Sequence, residues 1–354
     1  MLTQIVAGRV YDYSHSVGRN SQSGLGYNHP VAAALGEGDV VYVVSRGTEA
    51  IGNVPWNSTG SGARVSIANI GTEPGDEEFV GQFSGYGDED GQFIWGAGIA
   101  VDRQHNVYVT DEWLDRVNIF DKDGNFLNKW SVSENGAGEP YGASGITIDA
   151  DQNVYVVGSR HHQVRKFSKE GRLTASWGGL GDGPGQLNSP WGITTDRQGH
   201  VYVADHRNHR VQKFSPDGEP VARFGSYGTL SGELTYPTGV AVDPEGDIYV
   251  SDWSDNGIQP GRVHVFDPEG KFIVSLIGDA QQLSKWGQMS IDANVDAAKA
   301  RRRVRSTEPE WRFSLPAGLV FDPAKGRLLV VDTQRTRLQI YNKLKDYVEP
   351  QLNL

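Results

Sequence analysis

Four copies of one phrase stand 47 residues apart in this chain: a glycine, a hydrophobic residue, two variable positions and an aspartate. They read Gly98-Ile99-Ala100-Val101-Asp102, Gly145-Ile146-Thr147-Ile148-Asp149, Gly192-Ile193-Thr194-Thr195-Asp196 and Gly239-Val240-Ala241-Val242-Asp243. Each is followed by a Val-Tyr-Val or Ile-Tyr-Val strand and then by a basic-hydrophobic strand. A period this long, filled with several short strands, is that of a β-propeller blade rather than of a helical solenoid.

The copy after Gly192 shows the unit in full. Gly192 to Asp196, His200 to Asp205, Arg210 to Ser215 and Pro220 to Gly225 read as four short strands bounded by turn residues. Asp196-Arg197-Gln198-Gly199 and Ser215-Pro216-Asp217-Gly218 place aspartate and glycine where the backbone reverses. The same meander repeats with Val107-Tyr108-Val109, Val154-Tyr155-Val156 and Ile248-Tyr249-Val250. A sixth copy starts at Leu315-Pro316-Ala317-Gly318, and a divergent first copy runs from Pro30 through Val41-Tyr42-Val43-Val44 to Arg64-Val65-Ser66-Ile67. The expected architecture is all-β: a six-bladed propeller of four-stranded antiparallel blades, forming one domain over residues 1–354.

The last blade lacks a clear fourth strand after Asn342, and Tyr11 to Pro30 resembles Val221 to Pro237. Ile5 to Tyr13 is therefore expected to close the ring, which removes an open sheet edge. Two insertions break the rhythm, and both are expected on the face at the channel mouth. Residues 46–62 form a Gly/Ser/Asn-rich loop with Trp56, and residues of about 279–312 contain a short helix within Leu283 to Arg305.

Composition narrows the function. With 44 acidic and 33 basic residues the net charge of −11 opposes a nucleic-acid backbone, and the chain has no cysteine for thiolate chemistry or Cys-ligated zinc. The sequence has no basic segment followed by an apolar run at its start and no apolar stretch that spans a bilayer, so a cytoplasmic protein without a membrane partner is expected. The mouth is expected to hold Arg46, Arg160, Arg207 and His206 with Trp113, Trp191, Trp253, Tyr141 and Tyr236, while Trp286 acts as a lid. Arginines hold carboxylates or oxyanions, indoles form apolar walls, and a histidine moves protons near neutral pH. The bland alternative is channel-filling aromatics and ion-paired arginines. Arg301-Arg302-Arg303 reads as a solvated face, and His162 and His209, sharing a slot with Asp115 and Thr336, read as surface residues. His29, His161 and His206 meet only across blades, so no metal or other cofactor is assigned; a structural calcium on inner-strand carbonyls is left open.

The stretch from Asp205 to Phe214, after Pro190-Trp191-Gly192-Ile193 and Val201-Tyr202-Val203-Ala204, resembles the NHL repeat. The resemblance covers nearly the whole chain. It implies a family that includes a lyase acting on peptidyl hydroxyglycine, virginiamycin-type lyases, and non-catalytic RNA- or protein-binding modules. In the hydroxyglycine lyase the zinc histidines directly precede the first-strand glycine; here those slots hold Val31, Ala97, Ser144, Trp191, Thr238 and Ala317. Its arginine and tyrosine slots map loosely onto Arg46, His206, Arg160 and Arg207. The expectation is thus a lyase- or hydrolase-type enzyme for a small anionic or aromatic substrate without the three-histidine zinc mechanism. The alternative is a binding propeller for a protein or peptide.

Overall fold

The computed structural model describes residues 3–51, 58–133, 140–253 and 261–345, with the side chains of residues 49–51 and 58–59 excepted. Each repeat folds into an antiparallel meander. Blade one comprises Pro30–Leu35, Val40–Ser45, Arg64–Asn69 and Glu78–Phe83, and blade two Gly96–Val101, Val107–Asp111, Arg116–Phe120 and Phe126–Ser131. Blade three comprises Ala143–Ile148, Val154–Gly158, Gln163–Phe167 and Leu173–Gly178. Blade four comprises Ile193–Thr195, Val201–Asp205, Arg210–Phe214 and Pro220–Phe224, and blade five Pro237–Val242, Ile248–Asp252, Arg262–Phe266 and Phe272–Leu276. Blade six takes Pro316–Asp322, Arg327–Asp332 and Arg337–Leu344 from the C-terminal part. The six first strands pack side by side around a ring, blade six against blade one.

The ring closes as the sequence suggests, with a shifted boundary. Arg9–Val17 is the fourth strand of blade six, pairing Val10 with Leu344 and Val17 with Leu338, and Thr3–Val6 folds outside it as a fifth. Lys343 is buried between Asp243 and Asp247, and Arg9 donates to both oxygens of Asp247 at 3.0 and 2.8 Å, tying both chain ends to blade five.

The repeated residues each have a mechanical task. The glycine lets neighbouring first strands touch: a Cβ on Gly145, Gly192 or Gly239 would stand 2.3 Å from the carbonyl oxygen of Trp191, Thr238 or Ala317 on the next blade. The first-strand aspartate caps its own hairpin. Asp196 accepts from the amides of Gln198 and His200 and from the hydroxyl of Tyr202, and Asp149 does the same with Asp151, Asn153 and Tyr155. That contact explains why a tyrosine sits inside the second strands of blades two to five.

In blades four, five and six the arginine opening the third strand binds the aspartate ending the second. Arg210 meets Asp205, Arg262 meets Asp252 and Arg337 meets Asp332, at 2.8, 2.9 and 2.9 Å. The rest of the guanidinium gathers carbonyls of the preceding link: Arg210 donates to Asp182, Gly183 and Gln186.

Two positions after that arginine, Gln212 and Gln339 donate to Asp205 and Asp332 at 3.1 Å each. In blade five the slot holds His264, whose Nε2 is buried, has no hydrogen-bond partner among the described residues and lies 3.9 Å from Asp252. Burial, aided by Arg262, pushes its pKa from 6.5 down to about 3. Between those values the unfolded chain binds a proton here and the folded chain does not, so stability falls as pH falls through that window, by up to about 1.4 kcal/mol per pH unit. His264→Gln should remove this slope. Denaturant melts at pH 7 and pH 4.5 check it: the variant's advantage grows at the lower pH.

The insertions are more ordered than a loop and a helix. Thr48–Ile51 and Ser58–Ser61 form a hairpin, and Trp56 lies outside the described residues. The second insertion forms helices Lys285–Asp292 and Val295–Arg303 and a turn Glu308–Trp311; Asn294 caps the second helix by accepting from the amides of Asp296 and Ala297. Arg301 pairs with Glu310, while Arg302, Arg303 and Arg305 are exposed. Trp286 is a core residue, not a lid: it is 2% exposed and packs against Tyr27 and Phe79 at the seam of blades six and one. Among the described residues no helix is long and apolar enough to cross a membrane.

Candidate functional site

The residue directly after each second strand stands at the channel mouth. In blade order these are Arg46, Glu112, Ser159, His206, Trp253 and Thr333, one per blade. The aspartate–arginine clamp fixes the backbone beneath His206, Trp253 and Thr333, and chemically different side chains occupy one register position around the mouth. Half of the ring is hydrogen-bonded: Arg46 Nη2 donates to Glu112 Oε2 at 3.0 Å, and Ser159 Oγ to Glu112 Oε1 at 2.9 Å.

Arg46 also donates from Nε to the Gly96 carbonyl at 3.0 Å, and its guanidinium lies 5.1 Å from the Trp95 ring and 5.4 Å from the Trp191 ring. Burial lowers its pKa against the pull of Glu112, but a guanidinium starting near 12.5 stays charged. Among the described residues its Nη1 makes no hydrogen bond. Trp191 is the one large side chain in the ring of residues preceding the first-strand glycines, and it meets Trp253 edge to face at 5.3 Å. Arg46, Trp95, Trp191, Trp253, Thr333 and Gln334 contribute to the wall of a cavity of about 400 Å³. Among the described residues the Thr333 hydroxyl and the Trp253 indole N–H are buried without partners.

His206 stands on the other side of Trp191, 5.5 Å from it, stacked on Tyr236 at 5.2 Å. Its Nδ1 lies 3.1 Å from the Pro237 carbonyl, which only accepts, so Nδ1 carries a proton. His206, Arg207, Tyr236 and Trp253 line a second cavity of about 590 Å³ with Asn188 and His209. Trp253 is the wall shared by the two cavities.

The structure therefore gathers Arg46, Trp191, Trp253, His206 and Tyr236 and separates others. Arg160 is exposed and lines neither cavity, because it sits one position further along its hairpin; Arg207 is exposed too and reaches only the second cavity. Trp113 is 56% exposed and packs on the outer face of Trp95. Tyr141 does not line the mouth. Blade three has Gly158 where blades two, four, five and six have an aspartate, and the Tyr141 ring fills the space, its hydroxyl facing the Val156 and Gln163 carbonyls at 3.0 Å each. Residues taken for surface histidines are anchors: His162 Nδ1 accepts from Ser189 N at 2.9 Å and His209 Nδ1 meets the Thr235 carbonyl, both in left-handed backbone like Asp115 and Thr336. Glu112, in the register position of Arg46, and Trp95, in the link between blades one and two, also belong to the site.

The residues do not fit a three-histidine zinc centre. Ser144 Oγ and Thr238 Oγ1, in two of the slots, donate to the Pro190 and Pro316 carbonyls of the next blade at 3.2 and 3.1 Å. Among the described residues no three His, Asp or Glu side chains are grouped to hold a metal.

Comparison with known proteins agrees with this architecture. The NHL repeat model matches residues 187–214 and 234–266. No curated protein sequence matches the chain. Among solved structures, a streptogramin B lyase is 11% identical over 94% of this chain and 98% of its own, with a TM-score of 0.53. A protein of unknown function from Bacteroides thetaiotaomicron is 16% identical over 95% of this chain and 76% of its own, with a TM-score of 0.61. A catalytically inactive variant of virginiamycin B lyase from Staphylococcus aureus, solved with quinupristin, is 12% identical over 94% of this chain and all of its own, with a TM-score of 0.53. At these identities the likeness is one of fold.

Proposed function

Starting from a six-bladed β-propeller that carries NHL repeats, we propose that the channel mouth is the active site of a lyase- or hydrolase-type enzyme for a small ligand with an aromatic body and an anionic or carbonyl oxygen. One observation carries this reading: an indole-walled cavity of about 400 Å³ whose wall includes a charged guanidinium, beside Thr333 and Trp253 with unpartnered polar groups. Trp95, Trp191 and Trp253 take the apolar body, and Arg46 takes the oxygen. A ligand that reaches past Trp253 brings its reacting group to His206, which exchanges the proton there. The streptogramin B lyase of like fold shows that such a ring hosts lyase chemistry; only the scaffold is shared.

The test is turnover of a panel of aromatic esters, lactones and hydroxyglycine peptides. His206→Ala should lower kcat by roughly 10²–10⁴-fold with an unchanged melting curve, and Trp191→Ala should raise KM. Equal kcat in the histidine variant removes the assignment. A second reading has its own support, since Arg46 is already engaged by Glu112 and stands apart from His206: the mouth then binds a protein or peptide without turning it over. Saturable tryptophan quenching with no product from any member of the panel selects that reading.

A further inference from the structure

The indole-walled cavity at the mouth does not close below Trp191. Val31, Trp191 and Ala317 line both that cavity and a narrow waist of about 70 Å³ beneath it. Ala33, Ile99, Ile146, Ile193, Val240 and Leu319 are in turn common to the waist and to a bowl of about 440 Å³ at the far ends of the first strands. One bore therefore runs the length of the ring. Trp191 alone narrows its upper rim, since the equivalent positions hold Val31, Ala97, Ser144, Thr238 and Ala317.

The waist offers water little. None of the residues lining it is charged, and its one side-chain hydroxyl, on Thr238, is given to the Pro316 carbonyl of the next blade at 3.1 Å. Main-chain groups at the blade contacts are spent too. Gly145 N donates to the Trp191 carbonyl at 2.8 Å, and Gly98 N and Gly239 N donate to Thr110 Oγ1 and Ser251 Oγ at 2.7 Å each. Those hydroxyls donate onward to the Ser144 and Ala317 carbonyls of the neighbouring blades at 2.5 and 2.6 Å. A buried water needs about two to four polar partners, whereas a methylene group needs only aliphatic walls. Isoleucine, valine and leucine supply those walls at the waist, and Leu35, Val101, Ile148, Val242 and Phe321 continue them in the bowl.

We infer that the bore receives an unbranched aliphatic chain carried by the ligand whose ring and oxygen the mouth binds. The inference rests on the proposed reading of the mouth and adds a third part to the molecule. The ring lies among Trp95, Trp191 and Trp253, the oxygen meets Arg46, and a straight alkyl or acyl chain passes Trp191 and descends between the first strands. A waist of about 70 Å³, against about 400 Å³ above and 440 Å³ below, passes a straight chain and turns back a ring or a branch. The ligand class is thus a ring compound with a carbonyl or anionic oxygen and a long linear chain.

The probe is a series of phenyl n-alkyl ketones from acetophenone to dodecanophenone, which combine all three parts, with binding to the full-length chain read by tryptophan quenching. Affinity should rise roughly fourfold per methylene, the transfer value of a buried CH₂ group, until the bore is filled. A branch in mid-chain at equal carbon number should erase most of that rise. Ala33→Phe, at the waist, should stop the rise after the first few carbons. Thr147→Trp, at a half-buried position in the bowl, should stop only the longest chains, which keeps the test open if the waist variant folds poorly. A series of n-alkanols, with neither ring nor carbonyl, separates the two readings. Chain-dependent binding of alkanols with none of acetophenone supports the bore and removes the mouth reading. Acetophenone binding that gains nothing with chain length keeps the mouth reading and overturns the inference. A rise undiminished in both variants marks adhesion to the outer surface and overturns it as well, as does failure of every compound to bind.

Discussion

A chain that starts at residue 18 fails to fold. It loses Arg9–Val17 and with it the ladder from Val10–Leu344 to Val17–Leu338, exposing the edge of Arg337–Leu344. It also loses Val10, Tyr11 and Val17 from the core, side chains worth roughly 1.5–3 kcal/mol each when fully buried. Arg9 goes too, leaving Lys343 as the one cation between Asp243 and Asp247. The sum approaches the whole stability of an ordinary domain, about 5–15 kcal/mol. Circular dichroism melts should show no cooperative transition for this truncation. Removal of residues 1–8 alone, which takes only the outermost and largely exposed Thr3–Val6, should leave a cooperative transition; a cooperative melt in both would refute the closing role of the strand.

The second large effect is expected from Asp205→Ala. Asp205 is fully buried and accepts from Asn188 N at 2.7 Å, Arg210 Nε at 2.8 Å, Asn208 at 2.9 Å and Gln212 at 3.1 Å. Burial raises its pKa, with these donors pulling the other way, Asn188 and Asn208 ahead of Arg210. Removing it strands a guanidinium that is itself only 5% exposed, a loss of about 3–5 kcal/mol. Denaturant unfolding measures it. Asp205→Asn keeps the shape and half of the acceptors and should cost less. Because Asp205 also holds the backbone beneath His206, the variant should lose activity through the fold, seen as parallel loss of stability and turnover; an Ala variant of wild-type stability would show the clamp to be dispensable.

The ring, its blade count and its closure were legible because they rest on residues that recur at fixed spacing for backbone reasons: glycine at the blade contacts, aspartate at the hairpins, arginine at the links. The site was legible only in part. Arg46, His206 and Trp253 share one register position, so period places them. Tyr141 misled because its surroundings were changed elsewhere: with glycine at position 158, an aromatic that reads as a mouth residue drops into the empty clamp and becomes core. Trp286 misled in the same way, since a helix over a seam buries an indole as readily as a lid presents one. His264 gave no sign at all, because an unsatisfied atom is a property of packing between blades, and no local pattern encodes it.

The single mouth position per blade has a consequence for how such a protein changes. His206, Trp253 and Thr333 each follow an aspartate held by a buried ion pair, which sets the turn beneath them, whereas Arg46, Glu112 and Ser159 are bonded to one another. At the first three positions chemistry and scaffold are thereby uncoupled. Three letters over clamped turns face a bonded trio around one opening, and a library randomised at those three alone would explore ligand preferences while leaving the foldable part of the message untouched.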